Sequence, residues 1–137
     1  MQFNPYLNFP GTCEEALTFY KRIFGGEITN VHRFGDSPMA GQVGTDGAQK
    51  ILHARLTGGS VFLMASDNLN SPVNNDGNIS LSIETSDAAE GERFFNALAE
   101  GGTISMPFED QFWGSKFGSL TDRYGIDWMI NCPNVAD

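Results

Sequence analysis

The sequence predicts an α+β fold built from two tandem βαβββ modules, because three observations point to an internal duplication. The order strand, helix, strand, strand, strand can be read twice along the chain. Phe19-Tyr20 precedes Gly25-Gly26 in the first half, much as Phe94-Phe95 precedes Gly101-Gly102 in the second. A polar, glycine-containing connector separates the halves. We therefore expect a curved mixed sheet around a central cleft, with the helices on the outer faces.

Length and composition predict a single domain. The 137 residues, 40% of them apolar, can bury one sizeable core, so we expect one domain with modules of about 1–70 and 77–137. The formal net charge of -9 disfavours nucleic acid and anionic membranes as partners. No apolar run suits a membrane helix, and the two cysteines, Cys13 and Cys132, are too few for a disulfide framework. We expect a cytoplasmic protein with reduced thiols.

The first module begins with a short aromatic strand, Phe3 to Phe9, in which Pro5 favours a sheet edge. Thr12 and Glu15 fit a capping box, so they predict the start of a helix. That helix carries an apolar stripe at helical spacing and ends at two glycines. A strand from Glu27 to Phe34 follows.

Three further segments complete the first half. Gly35 to Gln49 lacks apolar periodicity and is interpreted as a long loop or flap. Ile51 to Leu56 and Ser60 to Ala65 flank a glycine turn, which predicts a hairpin. Ser66 to Gly77 is rich in turn residues and reads as a connector.

The second module repeats this order. Asn78 to Glu84 alternates apolar and polar residues, which predicts a half-buried strand. Asp87 to Glu100 has helical spacing and stops at a glycine pair. The remaining strands are predicted at Thr103 to Phe108, Lys116 to Leu120 and Ile126 to Asn131.

Local motifs resemble a known family. They are Pro5-Tyr6-Leu7-x-Phe9, Glu15-Ala16-x-x-Phe19-Tyr20, Phe34-Gly35-Asp36-Ser37-Pro38, His53-Ala54, Leu63-Met64-Ala65-Ser66-Asp67, Phe112-Trp113-Gly114, Thr121-Asp122-Arg123-Tyr124-Gly125 and Trp128-Met129-Ile130-Asn131. With the paired βαβββ order, they resemble the PhnB-like branch of the vicinal-oxygen-chelate (glyoxalase/bleomycin resistance/dioxygenase) superfamily. The resemblance implies a glyoxalase-like fold and a homodimer. Members are often described as 3-demethylubiquinone-9 3-methyltransferases, yet no strand, glycine-rich loop and helix suited to S-adenosylmethionine is present, so methyltransferase activity is not expected.

The resemblance also implies where a metal would lie, since metal-dependent members hold one divalent ion with four side chains. Those positions map to Pro5, Met64, Asn78 and Met129. Proline has no donor, methionine is too soft for magnesium, manganese or zinc, and one asparagine is a weak ligand. We therefore expect no metal and no other cofactor. A relocated divalent metal site, using His53, Asp67 or Glu84, is the alternative.

His53 and Arg55 are the candidate catalytic residues. They alternate with Ala54 and Leu56, so they project into the cleft if the leucines face the helix. His53 would then shuttle a proton, and Arg55 would bind a carboxylate or phosphonate. In the alternative interpretation, Arg55 pairs with a carboxylate of the protein and His53 hydrogen-bonds within the sheet.

Seven residues form the candidate ligand-binding set: Leu7, Met64, Asn78, Ser80, Trp113, Phe117 and Met129. The aromatic members and Phe112 could wall an apolar pocket, or belong to the core or a dimer interface. Cys13 lies at a helix start, but Glu14 and Glu15 oppose the thiolate, so we do not expect a nucleophile there.

These residues predict metal-independent binding of a small organic molecule in the cleft. The alternative is a lyase, isomerase or dioxygenase type of enzyme that uses His53 and Arg55 or a relocated metal. A third possibility is an interaction module without a ligand.

Overall fold

The computed structural model of the protein describes residues 1–133. The chain divides into two compact units, Met1–Val73 and Asn74–Asp137. Each unit contains one four-stranded mixed sheet and a long helix, and the first unit has an additional short helix. Two mixed sheets with three helices confirm the predicted α+β fold class. Within residues 1–133, no helix has the length and apolar character needed to cross a membrane.

The first unit contains the following elements: β1 (Tyr6–Phe9), α1 (Cys13–Phe24), β2 (Glu27–Arg33), α2 (Gly44–Ala48), β3 (Ile51–Gly58) and β4 (Val61–Asp67). Its sheet has the order β1-β4-β3-β2. Strand β1 is parallel to β4, whereas β3 is antiparallel to both β2 and β4. The first strand therefore lies at a sheet edge, as Pro5 predicted, because proline cannot donate to a ladder on both sides.

The second unit contains β5 (Leu81–Glu84), α3 (Ala88–Ala99), β6 (Thr103–Asp110), β7 (Ser115–Thr121) and β8 (Asp127–Pro133). Its sheet has the order β5-β8-β7-β6, and β5 is parallel to β8. Strand β7 is antiparallel to both β6 and β8. The second unit thus repeats the strand order and strand directions of the first.

Helix α1 covers one face of the first sheet and packs against β2, β3 and β4. The side chains that this face buries are Leu7, Phe9, Ala54, Leu56, Leu63 and Ala65 from the strands, with Ala16, Leu17 and Tyr20 from the helix. Because successive side chains of a strand point to opposite faces, this burial also defines which residues lie on the face opposite α1.

The capping-box prediction for α1 is wrong. Thr12 is the residue before the helix, but its side chain makes no capping hydrogen bond. Instead the Cys13 backbone N–H donates to Asp67 Oδ1 at 2.9 Å, and the Ile51 N–H donates to Asp67 Oδ2 at 2.9 Å. The buried carboxylate of Asp67, 54 residues after Cys13, therefore caps the helix and also binds the first residue of β3.

The segment interpreted as a loop or flap contains short helical turns. Phe34–Asp36 and Ala40–Gln42 form 3-10 turns, and α2 follows them. Phe34 is buried, so it anchors this segment to the core of the first unit. Elements this short carry no apolar period, which is why the sequence pattern did not predict them.

In the second unit the predicted strand from Asn78 is shorter than expected. Strand β5 begins at Leu81, which pairs with Trp128, and ends at Glu84. Asn78 and Ser80 are exposed, and Ile79 retains 68% of its accessible surface. Alternation alone could not locate the start of the ladder, because pairing with β8 decides it.

Helix α3 begins where the sequence predicted. Asp87 precedes it, and Asp87 Oδ1 accepts hydrogen bonds from the backbone N–H groups of Ala89 at 3.0 Å and Glu90 at 3.2 Å. This local cap needs no partner from elsewhere in the fold. The helix packs against β6, β7 and β8.

Candidate functional site

Strand β3 places both predicted catalytic residues on the sheet face opposite α1. Ala54 and Leu56 are buried against the helix side, whereas His53 and Arg55 are half-buried and alternate with them. The same face continues onto the neighbouring strand, where Met64 of β4 lies opposite Arg55. The sequence analysis assumed that the leucines of this strand face the helix and that His53 and Arg55 face away from it. The structure has this orientation.

Tyr6 adds a residue that sequence analysis missed. It pairs with Met64, so a row of three residues, Tyr6, Met64 and Arg55, crosses the first sheet on this face. The Tyr6 hydroxyl lies 3.0 Å from His53 Nδ1, and the two ring centroids are 5.7 Å apart. The alternation of side chains along β1 could have identified this residue. Leu7 and Phe9 point towards α1, so Tyr6, which precedes Leu7, points to the opposite face.

The environment of His53 favours a neutral imidazole. Burial lowers the pKa of His53 below its usual value, and the positive charges of Arg55 and His32 lower it further. His32 is the backbone partner of His53 on β2. A neutral imidazole has one donor and one acceptor nitrogen, so the Tyr6 hydroxyl donates to Nδ1 when the ring proton is on Nε2 and accepts from Nδ1 when the proton is there.

Arg55 has an unsatisfied donor. Within residues 1–133, its Nε is buried and has no hydrogen-bond partner, and Arg55 forms no ion pair. Burying such a donor without an acceptor costs about 1 to 3 kcal/mol. One part of the alternative interpretation is observed, because His53 forms a hydrogen bond with Tyr6 within the sheet. The other part, an ion pair between Arg55 and a carboxylate of the protein, is not observed within residues 1–133.

Two first-unit residues of the sequence-based sets lie elsewhere. Leu7, predicted to contact a ligand, is buried beneath α1 with 8% of its surface accessible, on the side of the sheet opposite His53 and Arg55. Pro5, mapped to a metal position, lies before β1, and its carbonyl accepts a hydrogen bond from the Met64 backbone at 3.1 Å. The strand-one residue opposite Met64 is Tyr6, one position later than the mapping placed it.

The second sheet has an equivalent arrangement around Met129. Ser82 of β5 and Ser119 of β7 pair with Met129, as Tyr6 and Arg55 pair with Met64. Asn78 and Ser80, both predicted to contact a ligand, precede β5 and are exposed, so they lie outside the strand that pairs with Met129. The equivalent of Tyr6 is Ser82, which lies four residues after Asn78, the position that the sequence mapping assigned.

The late aromatic residues form an exposed cluster. Phe112 and Trp113 keep 96% and 51% of their surface accessible, and Phe117 is half-buried on β7. Their rings meet edge to face, with centroids 5.1 Å apart for Phe112 and Trp113 and 5.9 Å apart for Trp113 and Phe117. Such exposure contradicts the core interpretation for Phe112 and Trp113.

Metal donors do not gather in the described part of the chain. No group of three or more His, Cys, Asp or Glu residues that could hold an ion occurs among residues 1–133. Asp67, a candidate for a relocated site, is buried on the α1 side and accepts from two backbone amides, whereas His53 faces the opposite side. These two residues therefore do not form a shared site.

Cys13 is not an activated thiol. It is fully buried, and burial, Asp67 and Glu14 together raise its pKa to about 12. At neutral pH the side chain is a protonated thiol, which packs as a small apolar group.

Comparisons with known proteins agree with this architecture. A family model described as 3-demethylubiquinone-9 3-methyltransferase matches residues 1–131. Protein YjdN of Escherichia coli strain K12 is 32% identical over 139 residues, which cover 96% of this chain and 95% of YjdN. The crystal structure of PA1353 from Pseudomonas aeruginosa has a TM-score of 0.85 and 46% identity, with 97% of this chain and 98% of that chain covered. A PhnB protein from Bacillus cereus has a TM-score of 0.81 and 28% identity, covering 96% and 99% of the two chains.

More distant structures show the fold class. A glyoxalase/bleomycin resistance/dioxygenase family enzyme from Burkholderia phytofirmans has a TM-score of 0.59 at 15% identity, covering 93% of this chain and 95% of that chain. The fold is therefore that of the vicinal-oxygen-chelate superfamily. The chain belongs to the family described as 3-demethylubiquinone-9 3-methyltransferase, and the PhnB protein from Bacillus cereus shares its fold. The resemblance drawn from the sequence motifs is confirmed.

Proposed function

We propose that the protein binds a small organic molecule without a metal, on the face of the first sheet opposite α1. The observation that carries this proposal is the buried Nε of Arg55, which lacks a partner within residues 1–133. Arg55 as a whole is only half-buried, so a ligand with an oxygen acceptor would pair with its guanidinium group and compensate for the missing partner within the protein.

The residues around Arg55 suit such a ligand. Met64 offers an adaptable apolar surface beside it, and Tyr6 offers a ring and a hydroxyl group in the same row. Ligand sites commonly combine apolar contact area with a few polar anchors that orient the ligand. Arg55 is the anchor in this proposal.

The experiment is a ligand-observed NMR screen of small organic fragments in the presence of EDTA, followed by titration of the hits. We expect Arg55→Met to weaken binding at least tenfold. The matched control is Arg22→Met, because Arg22 is an exposed arginine on α1 of the same unit. Equal binding by the two variants would contradict the anchor role, and dependence of binding on added metal would contradict the metal-independent mode.

An enzyme is the second candidate, and the hydrogen bond between Tyr6 and His53 is the observation that favours it. With the ring proton on Nε2, Nδ1 can take the Tyr6 hydroxyl proton while the phenol oxygen accepts a proton from a bound substrate, so the pair can act as a general base. Incubating each NMR hit with the protein and following its spectrum over hours separates the candidates. New resonances that are lost in His53→Gln support an isomerase or lyase type of reaction, whereas unchanged ligands support binding alone.

We also infer that the protein is a homodimer. The exposed rings of Phe112 and Trp113 support this, because large apolar side chains at a surface commonly mark interaction sites. Light scattering during size-exclusion chromatography tests the inference. A mass near that of one chain at all concentrations contradicts it.

A further inference from the structure

We propose that this face of the first sheet selects organic acids, and that each anion is bound together with one proton, which His53 accepts. The inference rests on the proposed binding function and deepens it by naming the ligand class and the linked proton. Three features carry it: the unsatisfied Arg55, the bond between Tyr6 and His53, and the charges that surround them.

The groups on this face carry a positive charge or can take up a proton. His53 and Arg55 are two residues apart on the same face of β3, and His32 of β2 is paired with His53. From the other neighbouring strands, Tyr6 of β1 contacts His53, and β4 contributes the uncharged Met64 and Ser66. Since the chain carries a net charge of -9, a face where an arginine and two histidines converge stands out as a place for an anion.

Protonation of His53 makes the Tyr6 hydroxyl available as a donor to a ligand. We assign to the neutral ring the tautomer with its proton on Nε2, in which the Tyr6 hydroxyl donates to Nδ1, 3.0 Å away. When a proton from solvent binds at Nδ1, the direction of this hydrogen bond reverses, because Nδ1–H becomes the donor and the phenol oxygen the acceptor. The hydroxyl proton of Tyr6 is then free to bind an acceptor oxygen of the ligand. No covalent bond of the ligand changes.

The electrostatic coupling has a definite sign. In the free protein the positive charges of Arg55 and His32 hold the pKa of His53 below its usual value of 6.5. An anion bound at Arg55 offsets that repulsion, so the pKa of His53 is higher in the complex. Between the two pKa values, binding takes up a proton and affinity rises as the pH falls. Below the lower pKa and above the higher one, affinity is independent of pH.

The test measures binding of benzoate, phenylacetate and acetate from about pH 5 to about pH 8 by NMR titration, in cationic buffers that do not compete. Benzamide and phenylacetamide are the neutral controls. We expect the carboxylates to bind about tenfold more tightly at the acidic end, which corresponds to a His53 pKa shift of about one unit. The amides should bind more weakly and without pH dependence.

Three substitutions test whether His53 is the residue that takes up the proton. His53→Gln should abolish the pH dependence, and Tyr6→Phe should weaken carboxylate binding mainly at the acidic end, because the released hydroxyl donor is missing. His32→Gln is the matched control on the same face. It should keep a one-proton dependence and shift it to higher pH, because one source of repulsion on His53 is removed.

The outcomes separate the two proposals. Carboxylate binding that needs Arg55 but is equal at all pH values overturns the proton linkage and leaves the binding function intact. Arg55-dependent binding of neutral fragments, with no binding of the three carboxylates, overturns both the ligand class and the linked proton and leaves the binding function intact. No binding of fragments or carboxylates at about 10 mM contradicts both, since the affinity is then weaker than about 3 kcal/mol of binding free energy.

Discussion

Asp67 links two elements of the first unit through one buried side chain. Its two carboxylate oxygens accept from Cys13 at the start of α1 and from Ile51 at the start of β3. Because the residue is buried, water cannot replace either hydrogen bond if the side chain changes. Asp122 has a comparable role in the second unit, where it accepts from Tyr124, Ile126 and the indole of Trp128.

Asp67→Asn should therefore destabilise the protein. An amide has one acceptor oxygen, so its NH₂ group would face one of the two backbone donors. We expect a loss of about 2 to 3 kcal/mol in the free energy of unfolding, measured by urea denaturation at neutral pH. Asp110→Asn, at an exposed position of β6, is the control and should change stability by less than about 0.5 kcal/mol. Equal midpoints for the two variants would contradict this role of Asp67.

At the scale of elements, the packing of α3 depends on the absence of a side chain in β7. Gly118 is buried, and a Cβ atom there would lie 2.7 Å from Phe95 Cε2 and 2.8 Å from Phe108 Cα. Phe95 and Phe108 stack with ring centroids 5.7 Å apart, so neither ring can move away without disturbing the other. Helix and sheet approach this closely because β7 has a glycine at the contact.

Gly118→Ala should force α3 away from the second sheet. We expect a loss of about 2 kcal/mol in the free energy of unfolding, as for other overpacked cores. The control is Gly41→Ala, because a Cβ atom at Gly41 meets nothing within 4 Å. Thermal denaturation of both variants measures the difference, and a Gly118→Ala protein as stable as Gly41→Ala would show that the contact can relax.

At the scale of the whole molecule, the connectivity of the units bears on the methyltransferase description of the family. Helix α1 connects β1 to β2, which lie at opposite edges of one sheet, and α3 connects β5 to β6 in the same way. Cofactor sites of doubly wound folds instead lie beside adjacent parallel strands joined by a helix, where a glycine-rich loop meets the helix start. The segment between β1 and α1, Pro10 to Thr12, has a single glycine.

We therefore predict that S-adenosylmethionine does not bind. At a concentration of about 1 mM, it should leave the melting temperature unchanged, because only a ligand that binds the native state raises it. Arg55-dependent NMR hits provide the positive control for the same protein preparation. A reproducible rise in melting temperature with S-adenosylmethionine would contradict the prediction and restore methyl transfer as a candidate activity.

Patterns within about 20 residues of sequence determined the fold class. The apolar spacing of 16–24 and 94–98, the glycine pairs that end both helices, and the glycine turn after β3 are local signals, and each was sufficient to place its element. The same order of helices and strands occurs twice in the sequence, and this predicted the internal repeat. The Asp87 cap belongs to this group, because its hydrogen bonds span only two or three residues.

Tertiary structure decided the site, because its contacts join residues that are distant in sequence. Tyr6 meets His53 across 47 residues, and Asp67 caps α1 across 54. The register between β1 and β4 decides which residue of β1 shares a face with Met64. A shift of one position would place Leu7 there instead of Tyr6. The sequence by itself determined the two long helices and the order of the strands, and it placed His53 and Arg55 on one strand face. Only the folded sheet decided that Tyr6 binds His53 and that the Nε of Arg55 has no partner within residues 1–133, because pairing between strands is not encoded in any one segment.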